Sequence, residues 1–157
     1  MIKAIDTFYS NHLFRSRLEA RWAVYFNELN TEWEYEQEGV QLGDGVKYLP
    51  DFYLPKYNIY AEVKPKKFTW QEHRKCKRLC NLSRKIVIEL VGLPSTKTFD
   101  IINAYSYFEC PSCGRKENFL IGDNVSRCNC KEKMIKIKLN LQSPEEYLET
   151  YFMDFIV

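Results

Sequence analysis

The sequence predicts a domain of the α/β (α+β) class, in which helices flank a mixed β-sheet. An apolar stripe with helical spacing lies in residues 16–29, and a second helical segment at 70–82 precedes the last strand-like segment. The segments with strand spacing are 32–41, 46–54, 59–64 and 85–94. A chain of 157 residues, 45% of them hydrophobic, is large enough for one packed core with a small appendage.

The first predicted helix carries its apolar residues at spacings of three and four. The stripe consists of Leu18, Trp22, Tyr25, Phe26 and Leu29. Ser16 occupies the expected N-cap position, and Glu19 follows three residues later, as in a capping box. The pattern predicts an amphipathic helix that buries its stripe.

The first two predicted strands form a hairpin. In residues 32–41, Trp33 and Tyr35 alternate with glutamates, which predicts a strand with one solvated face. The Gly-Asp-Gly sequence at 43–45 is a turn signal that leads into 46–54. A second turn at 55–58 then leads into the next strand.

The third predicted strand, residues 59–64, alternates between two faces. Ile59, Ala61 and Val63 share one face, whereas Tyr60, Glu62 and Lys64 share the other. Residues 85–94 are almost continuously apolar, which predicts a central strand that is buried on both faces.

The second predicted helix, 70–82, begins after Thr69, which can form a capping box with Glu72. Its expected buried side consists of Cys76, Leu79 and Leu82. Cys76 and Cys80 are interpreted as small buried hydrophobic residues. A short helix or loop is expected at 98–106.

Charge is distributed unevenly along the chain. The net charge is +2 overall, −6 over residues 28–51 and +8 over residues 64–85. Such asymmetry suits an acidic metal site beside a phosphate-binding surface, or two solvated faces of opposite sign. No apolar run reaches the roughly 20 residues that span a bilayer, and the first residues lack the pattern of a signal peptide. We therefore expect a cytoplasmic protein with no membrane partner.

Two carboxylates and an ammonium group are predicted to meet on the hairpin of 46–54 and 59–64. Asp51 follows Pro50, and Glu62 lies two residues before Lys64 on the same face of its strand. Adjacent carboxylates repel each other unless a cation lies between them, and hard oxygen ligands suit Mg²⁺ or Mn²⁺. The alternative is a surface ion pair across the hairpin, which contributes only about 0–1 kcal/mol.

The sequence Pro50-Asp51, followed by Glu62-Val63-Lys64 and placed between two helices, resembles the PD-(D/E)xK nuclease superfamily. Residues 13–94 also resemble phage and prophage endonuclease-like proteins of that superfamily. The resemblance implies a restriction-endonuclease-like core and a Mg²⁺-dependent DNA endonuclease, active in a bacterial host cell if it is phage-encoded. It also implies that DNA is the substrate and that the products carry 5′-phosphate ends.

The resemblance assigns roles to individual residues. Asp51 and Glu62 would hold one or two metal ions, together with Glu19 on the first helix and the backbone carbonyl of Val63. Lys64 would position the attacking water. The alternative for Glu19 is a capping role with Ser16 alone. Two further readings stay open: a catalytically silent DNA-binding or host-interaction protein, and a branched-DNA resolvase, which should be a homodimer. For the nuclease itself, a homodimer or a larger nucleoprotein complex is also left open.

The second helix and the segment before it are expected to contact DNA phosphates. The candidate contacts are Lys66, Lys67, Arg74, Lys77 and Arg78. Contacts of this kind make binding depend on salt concentration. A helix face that is merely solvated is the alternative.

Four cysteines predict a zinc site in a small module that resembles a zinc ribbon. They are Cys110, Cys113, Cys128 and Cys130. Their spacing suits tetrahedral Zn²⁺, although the second pair has one intervening residue where ribbons usually have two. The predicted domains are a nuclease core at 1–106, the cysteine module at 107–140 and a C-terminal helix at 141–157, which starts at Ser143-Pro144.

Overall fold

The three-dimensional structure is a computed structural model. It describes residues 4–37, 39–42, 45, 47–94, 101–120, 130 and 135–136. The predicted C-terminal helix at 141–157 lies outside the described residues, as does Cys128.

The described residues form eleven β-strands, two α-helices and one 3₁₀ turn at Pro55–Tyr57. The helices are α1 (Arg17–Glu28) and α2 (Trp70–Ser83). The strands are β1 (Thr7–Tyr9), β2 (His12–Phe14), β3 (Glu34–Tyr35), β4 (Val40–Gln41), β5 (Lys47–Tyr48), β6 (Phe52–Leu54), β7 (Ile59–Lys64), β8 (Ile86–Val91), β9 (Ile101–Glu109), β10 (Lys116–Leu120) and β11 (Ile135–Lys136).

The main sheet is mixed, as the sequence predicts. Its strand order is β10-β9-β8-β7-β6-β3, and β11 also pairs with β9. The β7–β8 pair is parallel, whereas the other pairs are antiparallel. Helix α2 connects the two parallel strands, because a parallel pair requires a long crossover connection.

The sheet carries a helix on each face, and the alternation predicted for residues 59–64 is confirmed. Ile59, Ala61 and Val63 pack in one core cluster with the buried residues of α1. Tyr60 packs in the other cluster with residues of α2 such as Leu79. Strand β8 is buried over Ile86–Leu90, which confirms its central position.

Both helices begin at the predicted caps. The Ser16 side chain accepts a hydrogen bond from the backbone of Glu19, and Thr69 forms a complete capping box with Glu72. Cys76 and Cys80 are fully buried, as expected. Leu82, however, is 51% exposed, so the prediction that it lies on the buried side of α2 is wrong.

Three predicted elements differ from the structure. The strand predicted at 46–54 is divided into β5 and β6, with Asp51 and the buried Pro50 between them. The strand predicted at 32–41 is divided into β3 and β4, because Glu36 adopts a left-handed conformation with φ 44° that interrupts the extended backbone. The short helix or loop expected at 98–106 is wrong for residues 101–106, which begin β9. Residues from Ile101 to Tyr105 pair with β8, and Tyr105 and Ser106 also pair with β10, so the segment is a strand of the main sheet.

Strand β9 also runs across position 106, where the sequence places the end of the core. Cys110, the first cysteine of the predicted zinc module, therefore directly follows a strand of the main sheet. Within the described part of the chain, neither helix has the length and apolar character needed to cross a membrane.

Candidate functional site

Asp51 lies at the start of β6, where the hairpin brings it against β7. It follows the buried Pro50 and precedes Phe52, which pairs with Ala61 of β7. Its Oδ2 accepts a hydrogen bond of 2.7 Å from the backbone N–H of Val63. The carboxylate of Asp51 is thereby held beside the two residues that flank Val63.

Glu62 and Lys64 extend from the same face of β7. The Lys64 Nζ donates a hydrogen bond of 2.5 Å to Glu62 Oε1. Glu62 is only 5% exposed, and its other oxygen, Oε2, is buried and makes no hydrogen bond of standard geometry among the described residues, although the Tyr48 hydroxyl interacts with the Glu62 carboxylate. A buried carboxylate oxygen without a partner is costly, so it marks a position where a cation would be bound favourably.

The charges of this group act on one another. Burial, and then the charge of Glu62, raise the pKa of Asp51 to about 7, while Lys64 and the Val63 amide oppose this rise. Burial acts to lower the pKa of Lys64, but the carboxylates of Glu62 and Asp51 outweigh it and raise that pKa. Lys64 is therefore a cation at neutral pH, suited to orient a water or a phosphate rather than to remove a proton.

The donor set fits Mg²⁺ or Mn²⁺. Asp51 and Glu62 supply carboxylate oxygens, which are the ligands that these hard cations prefer. The unpartnered Glu62 Oε2 gives the structural reason for a cation at this position. The role predicted for the Val63 carbonyl stays a prediction, since the contact that the structure defines is made by the Val63 amide.

Glu19 lies at the edge of this group rather than inside it. Its oxygens accept hydrogen bonds of 2.6 Å from Ser16 Oγ and 2.5 Å from the Tyr35 hydroxyl. The carboxylates of Glu19, Asp51 and Glu62 do not gather within 4.8 Å of one another. The charge of Glu19 nevertheless contributes to the raised pKa of Asp51, as the last and smallest of its causes.

A groove of about 650 Å³ joins the start of α1 to the end of β7. Glu19 lines it on one side, and Lys64 and Lys66 line it on the other. Glu19 thus shares a solvent-accessible space with the site, although the three carboxylates do not form one close cluster.

Glu89 is a buried acid beside the site that the sequence analysis did not identify. It is 0% exposed, it pairs in register with Glu62 on the neighbouring strand, and its oxygens lie 2.8–2.9 Å from His73 Nδ1. Burial, and then the charges of Glu62 and Glu89, raise the pKa of Cys76 on the facing helix. The signal in the sequence was the single charged residue within the apolar stretch of β8.

The structure places the predicted DNA contacts on the exposed surface around the start of α2. Lys66, Lys67, Arg74 and Lys77 are exposed. Arg78 is half-buried, and its guanidinium donates a hydrogen bond to the backbone carbonyl of Leu42. Part of the role of Arg78 is therefore to attach α2 to the segment that precedes β5.

Three of the four predicted zinc ligands come together. The sulfur atoms of Cys110, Cys113 and Cys130 all lie within 4.8 Å of one another. Hydrogen bonds from the backbone of Cys113 and, with a smaller effect, Ser112 lower the pKa of Cys110 to about 7. Gly114 follows with φ 68°, a left-handed conformation that suits glycine. The turn therefore favours the thiolate form that Zn²⁺ requires.

The chain matches no protein-family model, and no curated protein or solved structure is significantly similar to it.

Proposed function

We propose that this protein is a Mg²⁺- or Mn²⁺-dependent DNA endonuclease of the PD-(D/E)xK type. One arrangement carries the proposal. The Asp51 carboxylate accepts a hydrogen bond from the amide of Val63, the residue between Glu62 and Lys64 in the chain. Beside it, Glu62 has a buried oxygen that makes no hydrogen bond of standard geometry among the described residues. The order of helix, hairpin, helix and strand around this group adds support.

The residues of the site have distinct roles in this proposal. Asp51 and Glu62 hold the cation, and Lys64, kept charged by both, orients the attacking water and the scissile phosphate. When bound, the cation supplies an activated water and stabilises the charge that develops on the phosphate. Glu19 is proposed to act at the edge of the groove, where it reaches the site directly or through a water.

DNA is proposed as the substrate because of the charge around the site. The net charge of +8 over residues 64–85 lies on and beside α2, and four of the candidate contacts are exposed. These groups would bind the phosphate backbone while the acidic site acts on one phosphodiester bond.

The cysteine cluster is proposed to hold a structural Zn²⁺. Cys110, Cys113 and Cys130 would supply three ligands, and Cys128 is the natural fourth. A closed set of four thiolates would stabilise the turn between β9 and β10.

Cleavage of DNA tests the proposed activity. Plasmid, linear, single-stranded and branched DNA are incubated with Mg²⁺ or Mn²⁺ and either the wild-type protein or the variants Asp51→Asn and Lys64→Met. We expect cleavage that needs the cation and is lost in both variants. Glu32→Gln, which neutralises an exposed acid, is the matched control and should cleave normally. Cleavage that survives in Asp51→Asn, or no cleavage by the wild-type protein, contradicts the proposal.

A further inference from the structure

Trp70, the first residue of α2, is unusual among the tryptophans of the chain. All three tryptophans are described, and Trp70 is the exposed one, with 69% of its surface accessible. Trp22 is 1% exposed, and Trp33 is half-buried, packed against the core and hydrogen-bonded to Asn27. Neither core packing nor a cap explains Trp70, since Thr69 and Glu72 form the cap.

Arg74 lies one helical turn after Trp70 and stacks on it. The guanidinium carbon is 4.7 Å from the centroid of the Trp70 ring, within the range of a cation–π interaction. A pair at this spacing lies on one face of the helix. The two flat groups form a surface that is both aromatic and cationic.

Basic and polar side chains surround this pair. A shallow cavity of about 250 Å³ on the same helix is lined by Gln71, Arg74, Lys75 and Arg78. An aromatic face beside several cations is the combination by which proteins bind single-stranded nucleic acid: bases stack on the ring while the cations contact phosphates.

The pair lies close to the proposed catalytic group. Burial acts to raise the pKa of Glu72, but the Thr69 hydrogen bonds and the charges of Lys64 and Lys75 lower it, so the first turn of α2 is within electrostatic reach of Lys64. The six residues from Lys64 to Trp70 span at most about 21 Å. At roughly 3.4 Å per nucleotide, Lys64 and Trp70 are therefore at most about six nucleotides apart.

We propose that Trp70 and Arg74 form a stacking platform for an unpaired nucleobase, which makes DNA with a single-stranded segment the preferred substrate. The inference rests on the proposed function and narrows its substrate class. Within a duplex the base faces are covered by neighbouring bases, and the ends of a duplex are few, so an indole stacks most readily on an unpaired base. Flaps, gaps and branch points provide such bases within a few nucleotides of a duplex phosphate.

The test compares the binding of two labelled DNAs, a blunt duplex and the same duplex with a single-stranded tail. Binding is measured by fluorescence anisotropy with the zinc-loaded full chain, in buffer freed of other divalent cations so that no cleavage occurs. The variants are Trp70→Leu, which removes the aromatic face, and Trp70→Phe, which keeps a smaller one. Leu82→Ala is the matched control, because it changes another exposed hydrophobic residue of α2.

We expect Trp70→Leu to weaken binding of tailed DNA by about 5- to 150-fold, the range that corresponds to the loss of one stacked base. Trp70→Phe should recover part of the loss, and binding of the blunt duplex should change little. Oligo(dT) should quench the tryptophan fluorescence of the wild-type protein but not that of Trp70→Leu. Unchanged binding of tailed DNA by Trp70→Leu, or an equal loss on both DNAs, would overturn the platform.

The outcomes separate the platform from the catalytic proposal. If Mg²⁺-dependent cleavage depends on Asp51 but is indifferent to Trp70 and to the tail, the platform is wrong and the nuclease proposal stands. If Trp70 governs binding of tailed DNA while no cleavage occurs with any cation, the platform stands and the nuclease proposal fails. Circular dichroism and thermal unfolding verify that each variant is folded.

Discussion

The backbone amide of Val63 donates a 2.7 Å hydrogen bond to the carboxylate of Asp51. This bond crosses from β7 to the start of β6, and its donor lies between Glu62 and Lys64 in the chain. A side chain that follows a buried proline is thereby fixed against the strand that carries the other two charged groups. The positions of all three groups depend on the pairing of β6 with β7, so a shift in the register of this hairpin would separate Asp51 from Glu62 and Lys64.

The raised pKa of Asp51 predicts a pH dependence of stability. The pKa rises from 3.8 in the unfolded chain to about 7 in the folded protein, so the folded state binds the proton more tightly. The stability that this proton contributes is fully present below about pH 4 and is lost as the pH rises to about 7. The free energy of unfolding falls by at most about 4 kcal/mol over this range.

Asp51→Asn cannot ionise, and its side-chain oxygen can still accept the bond from Val63. Without added Mg²⁺, the variant should therefore be more stable than the wild-type protein at pH 8 and closer to it at pH 5, as measured by urea unfolding. A wild-type advantage at pH 8 would contradict the proposed repulsion between Asp51 and Glu62. Added Mg²⁺ should raise the stability of the wild-type protein alone, by linkage.

The pairing of His73 with the buried Glu89 predicts a large loss of stability when the histidine is removed. His73→Ala takes away the imidazole 2.8–2.9 Å from a carboxylate that is 0% exposed. Loss of one hydrogen-bond partner of a buried carboxylate costs about 1–3 kcal/mol. Urea unfolding measures this loss, and Glu89→Gln combined with His73→Ala should recover part of it because the buried charge is gone. Equal destabilisation by the single and double changes would argue against charge as the cause.

Lys64→Met should lower the cleavage rate by about 10²-fold or more, because a positioned cation at the reacting phosphate is removed. The Met side chain has similar length, so binding of DNA should change much less than the rate. Single-turnover kinetics with saturating protein separates the two effects. Lys66→Met, at an exposed neighbouring position, is the control and should alter binding more than rate.

Cys113→Ser should abolish stoichiometric zinc binding, because three sulfur ligands lie together at this position. We expect one Zn²⁺ per wild-type chain, released on treatment with a thiol-reactive mercurial and counted with a chromogenic chelator. Cys80→Ala is the control: the Cys80 sulfur lies on the buried face of α2, so the variant should lose stability but keep its zinc. Equal zinc content in Cys113→Ser and the wild-type protein would exclude the cysteine cluster as the binding site.

Hydrophobic periodicity and capping residues correctly predicted the elements that are determined by the local sequence. The stripe of α1, the capping box at Thr69 and the alternation of β7 all follow from spacing along the chain. Strand β9 was missed because its extended form depends on pairing with strands on both sides, a non-local cause. The exposure of Leu82 was missed because Leu82 follows Leu79 by three residues, whereas the buried face of α2 is centred on Cys76, Leu79 and Cys80.

The candidate site likewise has features that the local sequence predicts and features that depend on contacts between distant elements. Asp51, Glu62 and Lys64 were recognisable from their spacing, since residues two apart on a strand share a face and a hairpin brings the third within reach. The engagement of Glu19 by Tyr35 was not predictable, because β3 and α1 meet only in the folded chain. The sequence did not identify Glu89 as part of the site, because the residues around it in β8 are apolar and its pairing with His73 is visible only in the folded chain.

Binding of Mn²⁺ to the zinc-loaded protein tests the central claim most directly. Electron paramagnetic resonance measures free Mn²⁺ in titrations of the wild-type protein, Glu62→Gln and the control Glu32→Gln. We predict that the wild-type protein and Glu32→Gln bind Mn²⁺, and that Glu62→Gln, which neutralises the buried carboxylate with the unpartnered oxygen, binds at least about tenfold more weakly. Equal affinity in all three proteins would contradict a metal site at Asp51 and Glu62.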